Sequence, residues 1–593
     1  MDKTNVLQGG EFLVKDVDAQ DVFIPEEFDE EQQMIAQTCE DFLETEVFPV
    51  LDRIDQQEEG LMRELIGKAG ELGLLGISVP EEYEGFGQSF VTSMLASEAM
   101  GAGHSFSVAY SAHTGIGSLP LVYYGNEEQK QRYLPKLATG EWAAAYCLTE
   151  PNAGSDANSG KTNAVLSEDG KHYILNGQKM WITNGGFADL LTVFAKIDND
   201  RVYSAFLVEA SWEGVVRNPE EKKMGIKGSS TVQLFFNDVK VPVENLLARR
   251  GQGFRIALNI LHMGRIKLGA AVLGSAKRTI TQSVNYANER KQFGTQISNF
   301  AAIKYKLAQQ AMRTWVTESA VYRISADIDK TKEIMMADGK DKETATIEAI
   351  AQYAVEDAAM KVFGSETLDY VVDEGVQIFG GMGFSAEMPV DRAYRDSRIN
   401  RIFEGTNEIN RLLISETLIK KGPKVGINFK EEYAKILEEL NDFNPGYDGD
   451  DYFGELKFYA KKFKKLALYV MGAFLEKIPK GFVHEQEIMS ALSDILIGVY
   501  AVESAVLRSE KIAKTKGDDQ AAYQKAMTEN YLYDTSFRLR KSAHDAANSF
   551  LQGDELKTAL AAIDKLSSFK PVNIREIHRF VADKIIDENK YCF

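Results

Sequence analysis

Glu404 is the acidic residue whose neighbours most favour a role in proton transfer. It follows Ile402 and Phe403, precedes Gly405, and stands just before a helix that Thr406 is predicted to cap. A solvated glutamate titrates near about 4.3, and burial raises that pKa toward the range in which a general base works best. Its apolar neighbours therefore make Glu404 a candidate general base. Seen alone, the segment also fits an exposed acid at a helix start.

Two further segments could face a flat ligand. The segment 146–157, YCLTEPNAGSDA, has a proline, a glycine and a Ser-Asp pair that interrupt a predicted strand, so its backbone N–H groups can meet a ligand. In KMWITNGG, Trp181 and Thr183 alternate with Ile182 and are predicted to share one face of a strand. The ordinary alternatives are a decorated turn and a half-buried strand closed by a tryptophan.

Two more segments could hold a phosphate. In ERKQFG, Arg290 can pair with a phosphate and Phe293 can pack on a ring, although most arginines at helix ends are simply solvated. In VQIFGGMGFSAE, Gly380 and Gly381 remove side chains, so that another backbone or a pyrophosphate can approach closely. This stretch also matches G-x-G-x-x-A, but no βαβ unit surrounds it, and we discount the match.

Composition limits the class of protein. The chain has 88 Asp and Glu against 68 Lys and Arg, and its formal charge of -20 opposes nucleic-acid binding. Cys39, Cys147 and Cys592 are too few and too far apart for a disulfide framework, which indicates a reducing compartment. The N-terminus lacks the basic and apolar regions of a secretory signal. No uncharged apolar run approaches the ~18 residues of a membrane-spanning helix. These features predict a cytoplasmic protein.

The order of hydrophobic patterns predicts a mainly α protein with a central antiparallel β-domain. Because its strands do not alternate with helices, a doubly wound parallel sheet is disfavoured. The predicted units are an N-terminal arm (1–29), a helical domain (30–145), the β-domain (146–250) with a tight turn at Asn176 and Gly177, a helical bundle (251–421), a linker (422–456) and a helical extension (457–593).

In this order, the five segments resemble those of the acyl-CoA dehydrogenase family, most closely its very-long-chain branch. The similarity runs from about 28 to 421, includes KKMGIKGSSTVQLFFNDVKVPVENLL and NILHMGRIKLGAA, and continues more weakly through the extension. The resemblance implies the family's fold around FAD: a helical domain, a β-domain and a helical bundle. Very-long-chain members add an α-helical fourth domain.

The resemblance also implies a reaction. Glu404 would take the α-proton of a fatty acyl-CoA while the β-carbon passes a hydride to FAD, giving a trans-2-enoyl-CoA in fatty-acid β-oxidation. Electrons would pass to electron-transferring flavoprotein. Some relatives carry the base one residue before the arginine that aligns with Arg265, where this chain has Gly264. Medium-chain relatives bind pantetheine through an Asp where this chain has His262, and the surrounding segment favours long acyl chains.

Two alternatives share the fold. One is an acyl-CoA oxidase that passes electrons to oxygen, and the other is an assembly or scaffold protein with weak dehydrogenase activity. Intact flavin segments and an intact Glu404 argue against the second.

The residues that the resemblance assigns to ligands fall in the segments described above. For FAD they are Tyr146, Cys147, Leu148, Thr149, Gly154, Ser155, Trp181, Ile182, Thr183, Arg290, Phe293, Thr406, Asn407 and Glu408, with Gln377, Ile378, Phe379, Gly380 and Gly381 from the neighbouring subunit. For the acyl-CoA they are Ser155, Arg265, Phe403 and Gly405. No metal site is expected.

The resemblance implies a homodimer, with a tetramer as the alternative. Residues 457–478 place five lysines before an apolar run. This pattern fits either a basic amphipathic helix on a membrane or a bundle helix with a solvated basic end. In very-long-chain relatives the region is linked to membrane association, so peripheral contact with the inner membrane face is one expectation.

Overall fold

A computed structural model describes residues 6–593, so the first five residues of the predicted arm lie outside the described part. The chain runs from helices to a sheet and back to helices. The N-terminal helices are α1 (Glu30–Phe42), α2 (Leu51–Asp55), α3 (Leu61–Glu71), α4 (Phe90–Gly101), α5 (Ser105–Ser111), α6 (Leu119–Tyr124) and α7 (Glu127–Ala138). The strands of the central sheet are β1 (Ala144–Cys147), β2 (Asn163–Leu166), β3 (His172–Thr183), β4 (Leu190–Ile197), β5 (Ser204–Glu209), β6 (Val215–Arg217), β7 (Thr231–Pro242) and β8 (Leu246–Leu247).

Helices follow the sheet to the end of the chain. The bundle contains α8 (Gly253–Glu289), the short hairpin β9 (Lys291–Gln292) and β10 (Thr295–Gln296), α9 (Ala301–Ala337), α10 (Lys342–Gln352), α11 (Ala354–Phe379), α12 (Pro389–Ser397) and α13 (Asn407–Lys421). The remaining helices are α14 (Phe429–Glu439), α15 (Tyr452–Lys477), α16 (Gln486–Lys516), α17 (Ala522–Phe550), α18 (Gly553–Ser567) and α19 (Ile574–Glu588). The predicted fold class, mainly α with a central β-domain and a helical extension, is confirmed.

The sheet is mostly antiparallel, in the order β6-β7-β3-β2-β4-β5-β8, but β4 pairs in parallel with both β1 and β2. The predicted turn at Asn176 and Gly177 is wrong, because both residues lie inside β3, where the register to β7 shifts. Gly177 has φ 148°, and a Cβ there would lie 2.6 Å from Thr162 Oγ1. The glycine therefore serves a close strand contact instead of a hairpin.

Helix α8 is the central element of the bundle. It spans 37 residues and packs against α4, α9 and α11. Glycines bring its neighbours close, since a Cβ on Gly274 would lie 2.0 Å from the main-chain oxygen of Glu98 on α4. This packing fixes the residues of α8 that face the candidate site.

The predicted linker contains a helix, and the predicted arm packs on the core. Within 422–456 the structure places α14, whose Phe429 and Ile436 are buried against the core. In the arm, Phe12 and Leu13 are buried in the same core. The loop between α14 and α15 lies within the predicted linker, whereas the apolar face of α14 was not predicted.

Helix α15 is a core helix with paired lysines. Its apolar residues from Leu466 to Phe474 are almost all buried. Each of the five lysines has an intramolecular partner: Lys457 with Glu510, Lys461 with Asp16, Lys462 with Pro445 and Ser568, Lys464 with Glu503, and Lys465 with Glu439. The buried apolar run agrees with a bundle helix, but Lys462 and Lys464 are buried instead of solvated. Peripheral membrane contact stays a prediction.

Helices α8 and α16 are long and apolar enough, by composition, to cross a membrane. Most of the apolar window of each lies inside the protein, as expected for core helices.

A buried ion cluster joins three parts of the chain. Arg508 of α16 is 2% exposed, and it donates to Glu318 of α9 at 2.6 Å and to Glu26 of the arm at 2.8 Å. Its guanidinium also lies 4.8 Å from the ring centroid of Trp315.

We expect Arg508→Met to lower the free energy of unfolding by about 3–5 kcal/mol, because Glu26 would lose its partner and Glu318 would keep only Lys277. Urea unfolding followed by circular dichroism measures the change. The control is Arg53→Met, which removes the exposed pair with Glu58 and should have little effect. Equal stability of Arg508→Met and the wild type would contradict the role of the cluster.

Candidate active site

The loop before α13 presents Glu404 in a constrained backbone conformation. Glu404 has φ 57° and Gly405 has φ 83°, both in the left-handed region. Thr406 caps α13 as predicted, since its hydroxyl accepts the N–H of Ile409 at 3.2 Å. The buried Asn410 amide donates to the main-chain oxygens of Gly405 at 2.8 Å and Thr406 at 3.0 Å. These bonds stabilise a turn that few non-glycine residues adopt.

The side chain of Glu404 lies against α8 at Gly264. A Cβ at Gly264 would lie 2.5 Å from Glu404 Oε2 and 2.8 Å from its carboxyl carbon. Within residues 6–593, buried Oε2 has no hydrogen-bond partner. Gly264 therefore leaves room for the carboxylate of Glu404, and Oε2 of this carboxylate remains free to accept a proton.

Burial raises the pKa of Glu404 to about 7, while the charges of Arg265 and Lys361 act to lower it. Arg265 Nε donates to the main-chain oxygen of Glu404 at 3.3 Å, and Lys361 Nζ donates to that of Gly405 at 2.7 Å. Arg265 and Lys361 thus hold the loop that carries Glu404, and their charges reduce the free-energy cost of ionising its carboxyl group. A carboxylate with a pKa near neutrality is suited to general-base catalysis.

Tyr146 and His262 flank this centre. Tyr146 is buried, its ring lies 4.9 Å from that of Phe194, and its hydroxyl has no partner among the described residues. Burial, assisted by the charge of Glu404, raises its pKa well above the usual range. His262 Nδ1 lies 3.2 Å from Arg265, and burial together with that cation lowers its pKa to about 3. His262 is therefore neutral and paired with Arg265.

The structure brings the first two flavin segments together. The Met180 N–H donates to Thr149 O at 3.0 Å. A bulge at Trp181, where φ is 59°, leaves this side chain 51% exposed while Ile182 is buried. Gly154 and Ser155 are exposed, and a Cβ on Gly154 would meet nothing within 4 Å. The exposed indole of Trp181, beside the open loop at Gly154, can therefore pack against a flat ring of a ligand.

The arginine and glycine segments form a second group. Tyr286 stacks on Phe379 at 4.1 Å, which places the end of α8 beside the end of α11. Phe293 is 95% exposed with φ 52°, and Cβ atoms on Gly380 or Gly381 would meet nothing within 4 Å. In residues 6–593, no hydrogen bond or ring contact joins this group to the first.

The two groups offer what FAD requires. An exposed indole with Thr183 fits the ring system, and Arg290 beside open glycine backbone fits a pyrophosphate.

Several predicted cofactor residues have buried side chains that could meet a ligand only through the main chain. They are Cys147, Leu148, Ile182, Ile378 and Phe379. Asn407 is also engaged, because it accepts from Lys361 at 2.7 Å and donates to Ser365 and Glu366 at 3.0 Å. Gln377 and Glu408 are exposed, and Phe403 is partly buried against the core.

Comparison with known proteins agrees with this arrangement. Models of the acyl-CoA dehydrogenase N-terminal, middle and C-terminal domains match residues 29–141, 145–239 and 251–419, and a further C-terminal domain model matches 462–565. The chain belongs to the acyl-CoA dehydrogenase family. It is an FAD-dependent oxidoreductase.

Three relatives illustrate the similarity. A Bacillus subtilis (strain 168) protein described as "Probable acyl-CoA dehydrogenase" is 46% identical over 588 residues, covering 99% of each chain. The very long-chain specific acyl-CoA dehydrogenase of Macaca fascicularis mitochondria is 36% identical over 519 residues, covering 83% of this chain and 75% of its own. The crystal structure of the Bacillus anthracis acyl-CoA dehydrogenase complexed with FAD has a TM-score of 0.95 and 45% identity, covering 99% of this chain and 100% of that one.

Sequence reasoning missed two lysines that organise the dehydrogenase site. Besides Lys361, Lys179 is fully buried and donates to Glu150 at 2.7 Å and to Leu148 O at 3.0 Å, which ties the flavin loop to β3. A lysine inside a strand pattern was the available signal for Lys179. Nothing in its own helix distinguishes Lys361 from a surface lysine.

We expect Gly264→Ala to slow the reduction of bound FAD by acyl-CoA about a hundredfold, because a displacement of the base by about 1 Å can cost that much. Stopped-flow absorbance of the flavin measures the rate, and FAD content should be unchanged. Gly67→Ala is the control, since its added Cβ would come no closer than 3.7 Å to a neighbour. A wild-type rate in Gly264→Ala would contradict the observed contact.

Proposed function

We propose that the enzyme oxidises long-chain fatty acyl-CoA thioesters to trans-2-enoyl-CoA in fatty-acid β-oxidation and passes its electrons to electron-transferring flavoprotein. The observation that supports this most is the buried carboxylate of Glu404 over Gly264, with a pKa raised to about 7. Such an acid can accept a proton near neutral pH.

The residues of the chain divide the work of the reaction. Glu404 takes the proton from the α-carbon of the acyl group. Arg265 and Lys361 hold the turn that carries Glu404, and their charges keep its ionised form accessible. The partly buried Phe403 limits water beside the base. Bound FAD supplies the hydride acceptor for the β-carbon.

Two features support the finer assignments. The Macaca fascicularis protein, which aligns with 83% of this chain, is named as specific for very long chains. This similarity favours a long acyl substrate. The exposure of Phe293 and of the open backbone at Gly380 and Gly381 supports a homodimer in which each cofactor contacts both subunits. A tetramer would satisfy the same requirement. We place the enzyme in the cytoplasm, as its composition indicates.

We expect Glu404→Gln to keep FAD and to lose flavin bleaching by saturated acyl-CoAs, by about a thousandfold in rate or more, because the amide cannot accept the α-proton. Anaerobic titration with butanoyl-, octanoyl-, hexadecanoyl- and eicosanoyl-CoA measures activity and chain-length preference together. Glu416→Gln changes a carboxylate of α13 that pairs with Lys420 and was assigned to no ligand, and it is the control. Unchanged bleaching in Glu404→Gln would rule out Glu404 as the base.

The same preparations test the electron acceptor. The reduced enzyme should be reoxidised faster by electron-transferring flavoprotein than by dissolved oxygen. Rapid turnover with oxygen alone would identify an oxidase. Absence of bleaching by every acyl-CoA would favour a scaffold protein.

A further inference from the structure

A cavity of about 60 Å³ with a mixed polar and apolar lining lies where α4, α5, α8, α12 and the turn before Glu404 meet. Its polar lining comes from different parts of the chain: His104, Ser107, Ser275, Arg278, Thr279, Gln282, Asp396, Ser397 and Asn400. None of these residues was assigned to FAD or to the acyl-CoA thioester.

The cavity lies along the same face of α8 as the carboxylate of Glu404. With 3.6 residues per turn, Gly264, Ala271, Ser275, Arg278 and Gln282 fall on one narrow stripe of a helix. Because an α-helix rises about 1.5 Å per residue, Ala271 lies about 10 Å and Gln282 about 27 Å from Gly264 along the helix axis. A long acyl chain whose α-carbon lies at Glu404 and which follows α8 would bring its far end into this cavity.

The turn that ends in Glu404 also closes the cavity. Ile399 and Asn400 line it, only a few residues before the base. Asn400 Nδ2 donates to Ser397 O at 3.1 Å. The catalytic turn is therefore a shared wall between the base and the cavity.

Three of the lining residues carry donors that have no hydrogen-bond partner in residues 6–593. Arg278 binds Glu44 at 3.2 Å through NH1, but its buried Nε has no partner within residues 6–593. In the same described part, the side chains of Ser107 and Gln282 make no hydrogen bond. The acid of the lining, Asp396, is already engaged, because it accepts the Ile226 N–H and lies 3.1 Å from His104 Nδ1.

We propose that this cavity binds a carboxylate at the far end of the acyl chain, so that acyl-CoAs of dicarboxylic acids are substrates. The inference rests on the proposed dehydrogenation of long acyl-CoAs. A terminal carboxylate would pair with the guanidinium of Arg278 and accept a hydrogen bond from Gln282, both of which line the cavity. A methyl end would leave a buried donor unpaired, which is unfavourable.

The test compares hexadecanedioyl-CoA with hexadecanoyl-CoA as substrates of the FAD-loaded enzyme. In the wild type, kcat/KM for the dioic substrate should at least equal that for the plain one. Arg278→Met should lower kcat/KM for the dioic substrate about tenfold or more, with a change of about twofold or less for hexadecanoyl-CoA. Glu44→Gln removes the outer partner of Arg278, leaves the lining intact and is the control.

Gln282→Leu is the second variant, because it removes a lining donor without touching Arg278 or its surface pair. It should act in the same direction as Arg278→Met, with normal FAD content. Equal losses for both substrates in both variants would overturn the inference, as would a wild-type enzyme that bleaches with hexadecanoyl-CoA but not with the dioic substrate. Both results leave the proposed function intact, whereas bleaching by neither substrate would remove its basis as well.

Discussion

The desolvation of one carboxylate, that of Glu404, is the constraint on which the site depends. Burial alone makes the ionised form costly, and the protein meets part of that cost with Arg265 and Lys361. Both cations also donate to main-chain oxygens of the turn, so the groups that tune the base hold its backbone. Gly264 completes the arrangement by omitting a side chain where the carboxylate lies. The contact between α8 and the turn before α13 therefore sets the charge state of Glu404, its backbone conformation and the space for its carboxylate.

The remaining architecture supports that contact and separates it from the distal cofactor surface. The sheet brings the flavin loop beside Trp181, while the ends of α8 and α11 carry Phe293 and the open glycines. The extension is fixed to the bundle and the arm through the cluster at Arg508. The cavity beyond Gly264 lies along the same face of α8, and we propose that it receives the far end of a long acyl chain.

Much of the fold could be predicted from the sequence because helical and strand periodicities are local. The cap at Thr406 and the change from helices to strands followed from such patterns. The bulge at Gly177 could not, because it depends on the approach of Thr162. Likewise, the family resemblance indicated Glu404, but the pairing of His262 with Arg265 and the contact of Lys361 with the turn depend on packing between distant helices. Residue type does not reveal such partners.

The most direct measurement of the central claim is the rate of FAD reduction in a single turnover as a function of pH. Glu404 must be ionised to accept the α-proton, so the rate should rise with pH. At substrate concentrations below saturation, where the pH profile reports the free enzyme, the rate should reach half its maximum near a pKa of about 7. A midpoint near that of a solvated glutamate, about 4.3, or a rate independent of pH, would contradict the account of a desolvated base.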